Sequence, residues 1–516
     1  MTVTGNRLGS GGLGRATRAE WTKFRTVRGW VIALTAGALA IVLLGLSSAS
    51  GSHSSCRTGP VETACPAAPI GPGGEAVSDH FYFVHRTLSG NGAITARLTS
   101  LTGQIRKPDA VPGVRNVVSG LVPWAKAGIM VKESTKQGSA YAAVMVTGAH
   151  GVRMQHDFTH DVAGRPGGVS QDEPRRLRLT RSGDTLTGYE SADGVTWTRV
   201  GVARLPGLPD KVEIGLFAAS PGDLTVTQAD LGGSIAAVRF TEATGVFDEV
   251  GLEGETGAWR DDDIGATLGP DGTLHHPGRA GRSGGIFSVT GVGDIAPSIE
   301  GMTVERTLTG VPIGLIVVIV VAVMFVTAEY RRGLIHTTLI ATPGRGRMLV
   351  AKALTVAAVT FAAGLAACAV TVVFGARILR ANGNQLLPVS WLTEVRVVAG
   401  TAALIALAAV LAMAFGALFR RGVWAVLAAT CSIALPYVLA TTSVLPESAA
   451  EWLLRVTPAA GFAIQQSVPE YGHVLGHYAP TAGFYPLAPW AGLAVTAGYA
   501  ALVLGLAILR TRRRDA

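Results

Sequence analysis

AEYRRGLIHTTLIATPGRGRMLVAKA, residues 328–353, is a basic, glycine-punctuated stretch held between two apolar runs. A bilayer core about 30 Å thick needs roughly 20 apolar residues at 1.5 Å per residue, and both neighbouring runs are long enough. Working outward, six segments qualify: about 30–49, 308–328, 350–374, 397–419, 422–444 and 488–509. The first follows basic residues and ends in small ones near Ser47–Ser50, as a signal peptide does. Its long basic lead and the five later spans favour a membrane helix.

Composition agrees. The chain has 516 residues, is 48% hydrophobic and 15% charged, with mean hydropathy +0.37, a membrane-protein balance. The net charge of +9 is unevenly placed. Residues 50–307 carry 23 Lys+Arg against 28 Asp+Glu, and the rest 21 against 7. A slightly acidic insert sits within a basic membrane body. Nucleic-acid binding is a poor reading of that excess, because most of it lies at span ends, where it sets topology.

Arg7, Arg15, Arg18, Lys23, Arg25 and Arg28 precede the first span, and Arg331, Arg332, Arg345, Arg347 and Lys352 follow the second. Arg420 and Arg421 part the fourth and fifth, and Arg510, Arg512, Arg513 and Arg514 close the chain. The opposite short loops hold only Arg377, Arg380, Arg396 and Arg455. The positive-inside bias places both termini in the cytoplasm and residues 50–307 outside. A five-span alternative, fusing the fourth and fifth, would flip the C-terminus and is opposed by the basic tail 510–516.

Residues 50–76 are rich in Gly, Pro, Ser and Ala and read as a linker. Cys56 and Cys65 lie in it and can form a disulfide outside the membrane, or remain free thiols in a tether. Cys368 and Cys431 fall inside spans as small apolar residues. From His80 the pattern turns to period two. HFYFVHRTL (80–88), GAITARLTSL (92–101), AKAGIMVK, SAYAAVMVTG, RRLRLTR, DTLTGYES, VTWTRVGV and KVEIGLFAAS each read as half-buried strands. Ser182-Gly183-Asp184 and Ala192-Asp193-Gly194 supply turns. SIAAVRF and GVFDEVGL finish an all-β sandwich over 77–252. Residues 253–307 read as a β-rich return, with TLHHPG and GGIFSVTG as one more hairpin.

PRRLRLTRSGDTLTGYESADGVTWTRVG (174–201) and WAKAGIMVKES (124–134) resemble strands of concanavalin-like or laminin-G-like jelly rolls. That resemblance implies a fold; a fold hosts many functions. Glu133, Glu190, Asp157 and Asp161 could serve glycoside hydrolysis only at a defined separation. His156-Asp157 and His160-Asp161 invite a metal, but no third ligand is evident, and a polar strand end and turn is the simpler reading. Asp261-Asp262-Asp263 lacks the Gly and Glu of a calcium loop and reads as a solvated turn. Trp124, Tyr141, Trp197 and Trp259 could stack on a sugar or belong to the core.

RATRAEWTKFRTVRGW (15–30) reads as an amphipathic helix in the membrane interface, with Trp21, Phe24 and Val27 at i, i+3 and i+6 and Arg18, Lys23, Arg25 and Arg28 reaching water. A plain positive-inside flank is the alternative. Ala19, Glu20, Trp21, Thr22, Lys23, Arg25 and Thr26 resemble the pattern before the first span of type-2 ABC exporter permeases. Glu329, Tyr330, Arg331, Arg332, Gly333, Thr337, Thr338, Leu339, Ala341, Thr342, Pro343, Arg345, Arg347, Ala351 and Lys352 resemble the pattern after the second. Glu451–Gln466 is similar to that family's re-entrant stretch before the last span. The resemblance covers 15–49 and 308–514, and the long outer insert departs from it.

What the resemblance implies is a permease that meets a separate ABC ATPase through residues 328–353. It would work as a dimer of permeases, with ATP used by the partner and no cofactor or metal held by this chain. Glu329–Thr338 would form a short helix ended by Thr342-Pro343-Gly344. The arginines would face acidic groups on the partner, or else only anionic lipid. No G-x-x-x-x-G-K-[ST] phosphate loop occurs in the chain, so ATP hydrolysis by this chain alone is not expected. Spans three to six hold few ionisable residues, unlike an ion-coupled carrier. The alternatives are a non-transport membrane receptor or tethered carbohydrate-binding protein, and a membrane-tethered hydrolase.

Overall fold

The computed structural model describes residues 11–58, 61–63, 65–108, 116–228, 234–268, 274–275, 277–331 and 345–513. A short helix, α1 (Gly11–Thr26), leads into α2 (Arg28–Gly51). After a long β region come α3 (Val311–Arg331), α4 (Arg345–Ala381), α5 (Trp391–Phe419), α6 (Gly422–Thr441), α7 (Glu447–Val456) and α8 (Pro489–Arg513). Six of these (α2 to α6 and α8) are long and apolar enough to cross a bilayer, which makes this a multi-pass membrane protein. The fourth span begins at Trp391, earlier than the expected 397, where Ser390 accepts from the Thr393 N–H as an N-cap. Arg420 ends α5 in the left-handed region (φ 57°), so the fourth and fifth spans are separate helices.

The spans are apolar on all sides, so their mutual packing rests on shape. Small residues let backbones approach, as expected in lipid: a Cβ on Gly314 would stand 2.3 Å from Ile41 Cγ1, and one on Gly492 would stand 2.2 Å from the Ala460 carbonyl oxygen. The stretch after α7, Pro458–Gln465, is a wholly buried 3-10 segment that packs against α5 and α8. Leu404, Leu411, Val323, Phe325 and Phe462 lie in the same core.

In chain order the β region runs β1 (Phe81–Lys107), β2 (Lys126–Lys132), β3 (Tyr141–Thr147), β4 (Val152–His156), β5 (His160–Ala163), β6 (Arg175–Ser182), β7 (Thr185–Ser191) and β8 (Thr198–Arg204). It continues with β9 (Lys211–Ala219), β10 (Asp223–Gln228), β11 (Ser234–Arg239), β12 (Thr241–Thr256), β13 (Arg260–Ile264), β14 (Arg279–Ser283) and β15 (Ile286–Gly291). Most join one large sheet in the order β8-β7-β6-β1-β9-β2-β3-β4-β5, with β12 and β13 on the other side of β1 and β14-β15 beyond β12. Every ladder described in it is antiparallel.

The two strands expected over 80–101 are one continuous strand, β1. Its 27 residues bridge both halves of the sheet, and Gly90 (φ 68°) supplies the bend where two strands had been read. Asp261–Asp263 is no turn: the three residues belong to β13, paired with Val84, Phe83 and Tyr82. SIAAVRF does not close the large sheet; among the described residues β11 pairs with β10 alone, as a separate ribbon. The Gly183-Asp184 turn is where the sequence places it, with Ser182 opposite Thr185. Strand β12 runs unbroken past position 252.

The sheet has its own core, with Leu177, Leu179, Ile129, Val131, Val144 and Phe247 fully buried. Alternation is clean on β6, where Leu177 and Leu179 face in and Arg176 and Arg178 face out. Strands β2 and β3 are buried on both faces. Their second face meets Phe81, Phe83, Phe158 and Phe217.

Covalent and polar contacts fix the end of α2 and the linker after it, and a hydrogen bond crosses from the helical part to the sheet. Cys56 and Cys65 form a disulfide. The Asn382 side-chain amide donates to the carbonyls of Ala49, Ser50 and Ser52, and that of Asn384 to Ser52. His473, in the loop before α8, donates from Nε2 to the Phe158 carbonyl at 2.8 Å. Burial pushes the His473 imidazole below its ordinary value, and Lys126 adds to this against the Phe158 carbonyl, Asp161 and Asp294.

Candidate functional site

At the end of the bundle away from the sheet, four charged side chains from three helices meet. Lys352, on the second turn of α4, places Nζ 2.6 Å from Glu20 Oε2 and 2.7 Å from Glu329 Oε1. Lys23 completes the square at 3.2 Å from Glu20 Oε1 and 3.2 Å from Glu329 Oε1. Two cations and two carboxylates cancel. This matters because Lys352 is only 1% exposed, and an unpaired ion there would be costly. The Lys23 side chain stays 41% exposed. Burial alone would depress its ammonium, but Glu20 and Glu329 together outweigh that and raise its pKa above 10.5.

Aromatic rings floor the quartet. Lys352 Nζ lies 4.8 Å from the Phe325 ring centre. Phe24 and Trp30 meet Phe325 edge-on at 5.7 and 5.1 Å. The arrangement follows from helix geometry: Glu20 and Phe24 are four apart on α1, as are Phe325 and Glu329 on α3, so each helix presents one carboxylate and one ring on a single face. α1 is therefore clamped to the ends of the two helices that flank segment 332–344.

The residues singled out from sequence divide by placement. Glu20, Lys23 and Glu329 come together, and their charges are turned to one another and to Lys352. Trp21, Arg25 and Arg347 are exposed. The Tyr330 ring carries the Arg420 guanidinium 5.3 Å from its centre. Arg331 ends α3 and Arg345 opens α4. Arg332, Gly333, Thr337, Thr338 and Pro343, with the short helix expected over 329–338 and its Thr342-Pro343-Gly344 stop, lie outside the described residues beyond position 331. The apolar face expected of α1 is different: Phe24 is buried, Trp21 is not, and Glu20 takes the inward place.

Sequence reasoning kept Lys352 as one residue of a pattern and missed it as the hub. The available signal was its charge: a lysine eight residues into an apolar helix needs a counter-ion, and Glu20 and Glu329 are the acids beside the two neighbouring spans.

In the sheet body, Trp124 and Tyr141 are core residues, whereas Trp197 and Trp259 are half-buried. His156 and His160 face each other across the β4–β5 hairpin, rings stacked at 4.2 Å. Asp161 is bound to Arg153 and Gln155. His85 lies between two carboxylates, with Nε2 2.8 Å from Asp262 and Nδ1 2.7 Å from Glu213.

No protein-family model matches the chain, and no curated protein matches it in sequence. Among solved structures it is similar to a functionally unknown protein from Saccharomyces cerevisiae, at 17% identity over 34% of this chain and 76% of that one, TM-score 0.21. It is also similar to scytalido-glutamic peptidase with a transition state analog inhibitor, at 9% identity over 41% of this chain and 98% of that one, TM-score 0.26. At these scores neither likeness bears on what the chain does.

Proposed function

We propose that the chain is the membrane-spanning permease subunit of an ATP-driven ABC exporter. The sheet is its extracytoplasmic domain, of jelly-roll type and inserted between the first and second spans, and both termini are cytoplasmic. Segment 328–353 meets a separate ATPase, which uses the ATP, and two permeases work together. The observation that carries this reading is the quartet Glu20–Lys23–Glu329–Lys352. It links the interfacial helix to the ends of α3 and α4, so that a push on the segment between them moves three helices as one body. A segment that merely set topology would need no such link. The basic residues on the exposed side of this joint, Arg25 and Arg347 among them, suit an acidic partner surface.

The test is to purify the tagged chain from its native membranes with mild detergent and assay vanadate-sensitive ATP hydrolysis. Wild-type protein is expected to carry that activity, and Arg347→Glu to lose it while keeping its own helix content. A folded, homogeneous wild-type preparation with no ATPase attached would sink the proposal. The outer domain would then be the functional part, as in a receptor, and ligand binding by that domain would be the activity to seek.

A further inference from the structure

The ribbon β10–β11 stands apart from the large sheet and has two unlike faces. Directly paired residues share a face in an antiparallel ladder. The register therefore puts Leu224 and Val238 with Val226 and Ala236 on one side, with Gln228 and Ser234 at its far end, and Phe240 continues that alternation at the base. The other side carries Asp223 and Arg239, Thr225 with Ala237, and Thr227 with an exposed Ile235 at the far end. The apolar side is uncovered: Val226, Val238 and Phe240 are 42%, 66% and 49% exposed. A soluble surface rarely spends its apolar groups in one row.

We propose that this ribbon rests its apolar face on the lipid of the leaflet at the sheet end of the bundle. Three observations select lipid as the occupant. Val226 shares the wall of a cavity of about 320 Å³ with Ala440, Ser443 and Leu445, at the end of α6. That helix has 20 residues and so spans about 30 Å, the hydrocarbon thickness, which puts residues just past Thr441 at headgroup depth. Next, α7 lies at the same level with Ala450 and Leu454 turned inward and Trp452 63% exposed, the placement of an interfacial tryptophan. Finally, the Arg106 N–H donates to the Phe240 carbonyl at 2.9 Å, which sets the exposed cations Arg106 and Lys107 beside the ribbon's base, where phosphate headgroups suit them.

The contact is a second attachment of the sheet body to the bilayer, independent of the helices. It holds that body at a fixed height and tilt over the bundle, so a lipid-like molecule leaving the spans would meet the ribbon's apolar side first.

The experiment uses the full chain with Cys368→Ala and Cys431→Ala, reconstituted in vesicles of phosphatidylethanolamine and phosphatidylglycerol. A nitroxide is attached singly at Val238→Cys, Phe240→Cys or Thr225→Cys, and collision with oxygen is compared with collision with a water-soluble nickel chelate. Labels at 238 and 240 are expected to meet oxygen several-fold more than nickel, and the label at 225 the reverse. Equal nickel access on both faces overturns the proposal, because the ribbon then lies in water. Dipolar broadening between labels at 238 on two molecules also overturns it, in favour of a second copy of the chain on that face. Two reporting positions on the apolar side keep the result decisive if one variant folds poorly.

Discussion

At the scale of the residue, Lys352 bears the most. It is almost fully enclosed, and its charge is balanced by carboxylates brought from helices α1 and α3. Removing one partner of a buried ion cluster leaves the others unbalanced, at a cost of about 3–5 kcal/mol. Lys352→Met is therefore expected to lower the thermal midpoint in detergent markedly, and Lys352→Met with Glu329→Gln to recover part of the loss, because the second change removes the orphaned charge. Midpoints unchanged by the single substitution would show that the quartet is not holding the helices. Lys23→Ala should cost far less, roughly 1 kcal/mol or below, since its ammonium is more than a third exposed and screened. The sign of its pH dependence follows from its raised pKa. Its contribution is complete below the ordinary lysine value of 10.5 and is lost as pH rises through the higher folded value. Sequence placed Glu329 in a surface that meets a partner, and Glu20 and Lys23 in an interfacial helix with Lys23 reaching water. A separation of 332 residues between Glu20 and Lys352 carries no distance information, and only the fold turns four flanking charges into one cluster.

At the scale of the element, the loop before α8 works as a strap across the sheet. His473 reaches the Phe158 carbonyl and packs beside Trp124 and Tyr471. Phe158 is presented by a tight β4–β5 turn, with Asp157 and Phe158 both at positive φ. The imidazole is held below its ordinary value of 6.5, first by burial. For a base depressed in the folded state, the stabilising share is complete above 6.5 and is lost as pH falls through 6.5 towards the folded value. Amide exchange over 467–485, corrected for intrinsic rate, is expected to quicken as pH drops from 7 to about 5. His473→Gln should flatten that response. A response that survives His473→Gln would place the sensor elsewhere, with Lys126, Asp161 and Asp294 the charged groups that face it. None of this strap was legible beforehand, because a Gly- and Pro-rich loop has no periodicity to read. The long helices were legible, since 20 apolar residues in a row admit few other structures. Strand β6 was legible from its alternation, whereas β2 and β3, read as half-buried, are buried on both faces. The joining of 80–88 to 92–101 was not, because Gly90 and Gly92 look like a turn until both neighbours of β1 are known. Asp261–Asp263 hid in the same way: three acids look solvated until His85 and the edge of β1 supply partners.

At the scale of the whole molecule the large cores are separate, one in the helices and two in the sheet body, and only a small apolar cluster, in which Leu387 and Val468 meet Ala76 and Ile299, bridges them among the described residues. The bundle core is built on Leu404, Phe325 and Phe462, and the larger sheet core on Ile129, Leu179 and Phe247. The junction is small: His473 on Phe158 crosses to the sheet beside the Ala76–Leu387–Val468 cluster, while Asn382 and Asn384 hold the end of α2 and Glu305 accepts from the Ser467 N–H nearby. Burial pushes the Glu305 carboxyl above its ordinary range, and its hydrogen bonds with Ser467 only partly oppose this. A junction of this kind positions a domain without supplying its stability, which comes from apolar burial. Residues 76–298, bounded by the Ser298 N–H bond to the Ala76 carbonyl and free of cysteine, are therefore expected to fold when expressed alone. They should show a β-type circular dichroism spectrum and a cooperative melt. The buried Lys132–Asp79 pair, 2.8 Å apart with both side chains fully enclosed, should persist in the fragment, so Asp79→Asn should destabilise it by about 3–5 kcal/mol, as expected for one partner of a buried pair. If the fragment melts without cooperativity, the sheet draws its order from the helices after all. A push transmitted through the quartet would then reach the outer domain by deforming it, whereas independent cores would transmit it by tilting one rigid body on the other.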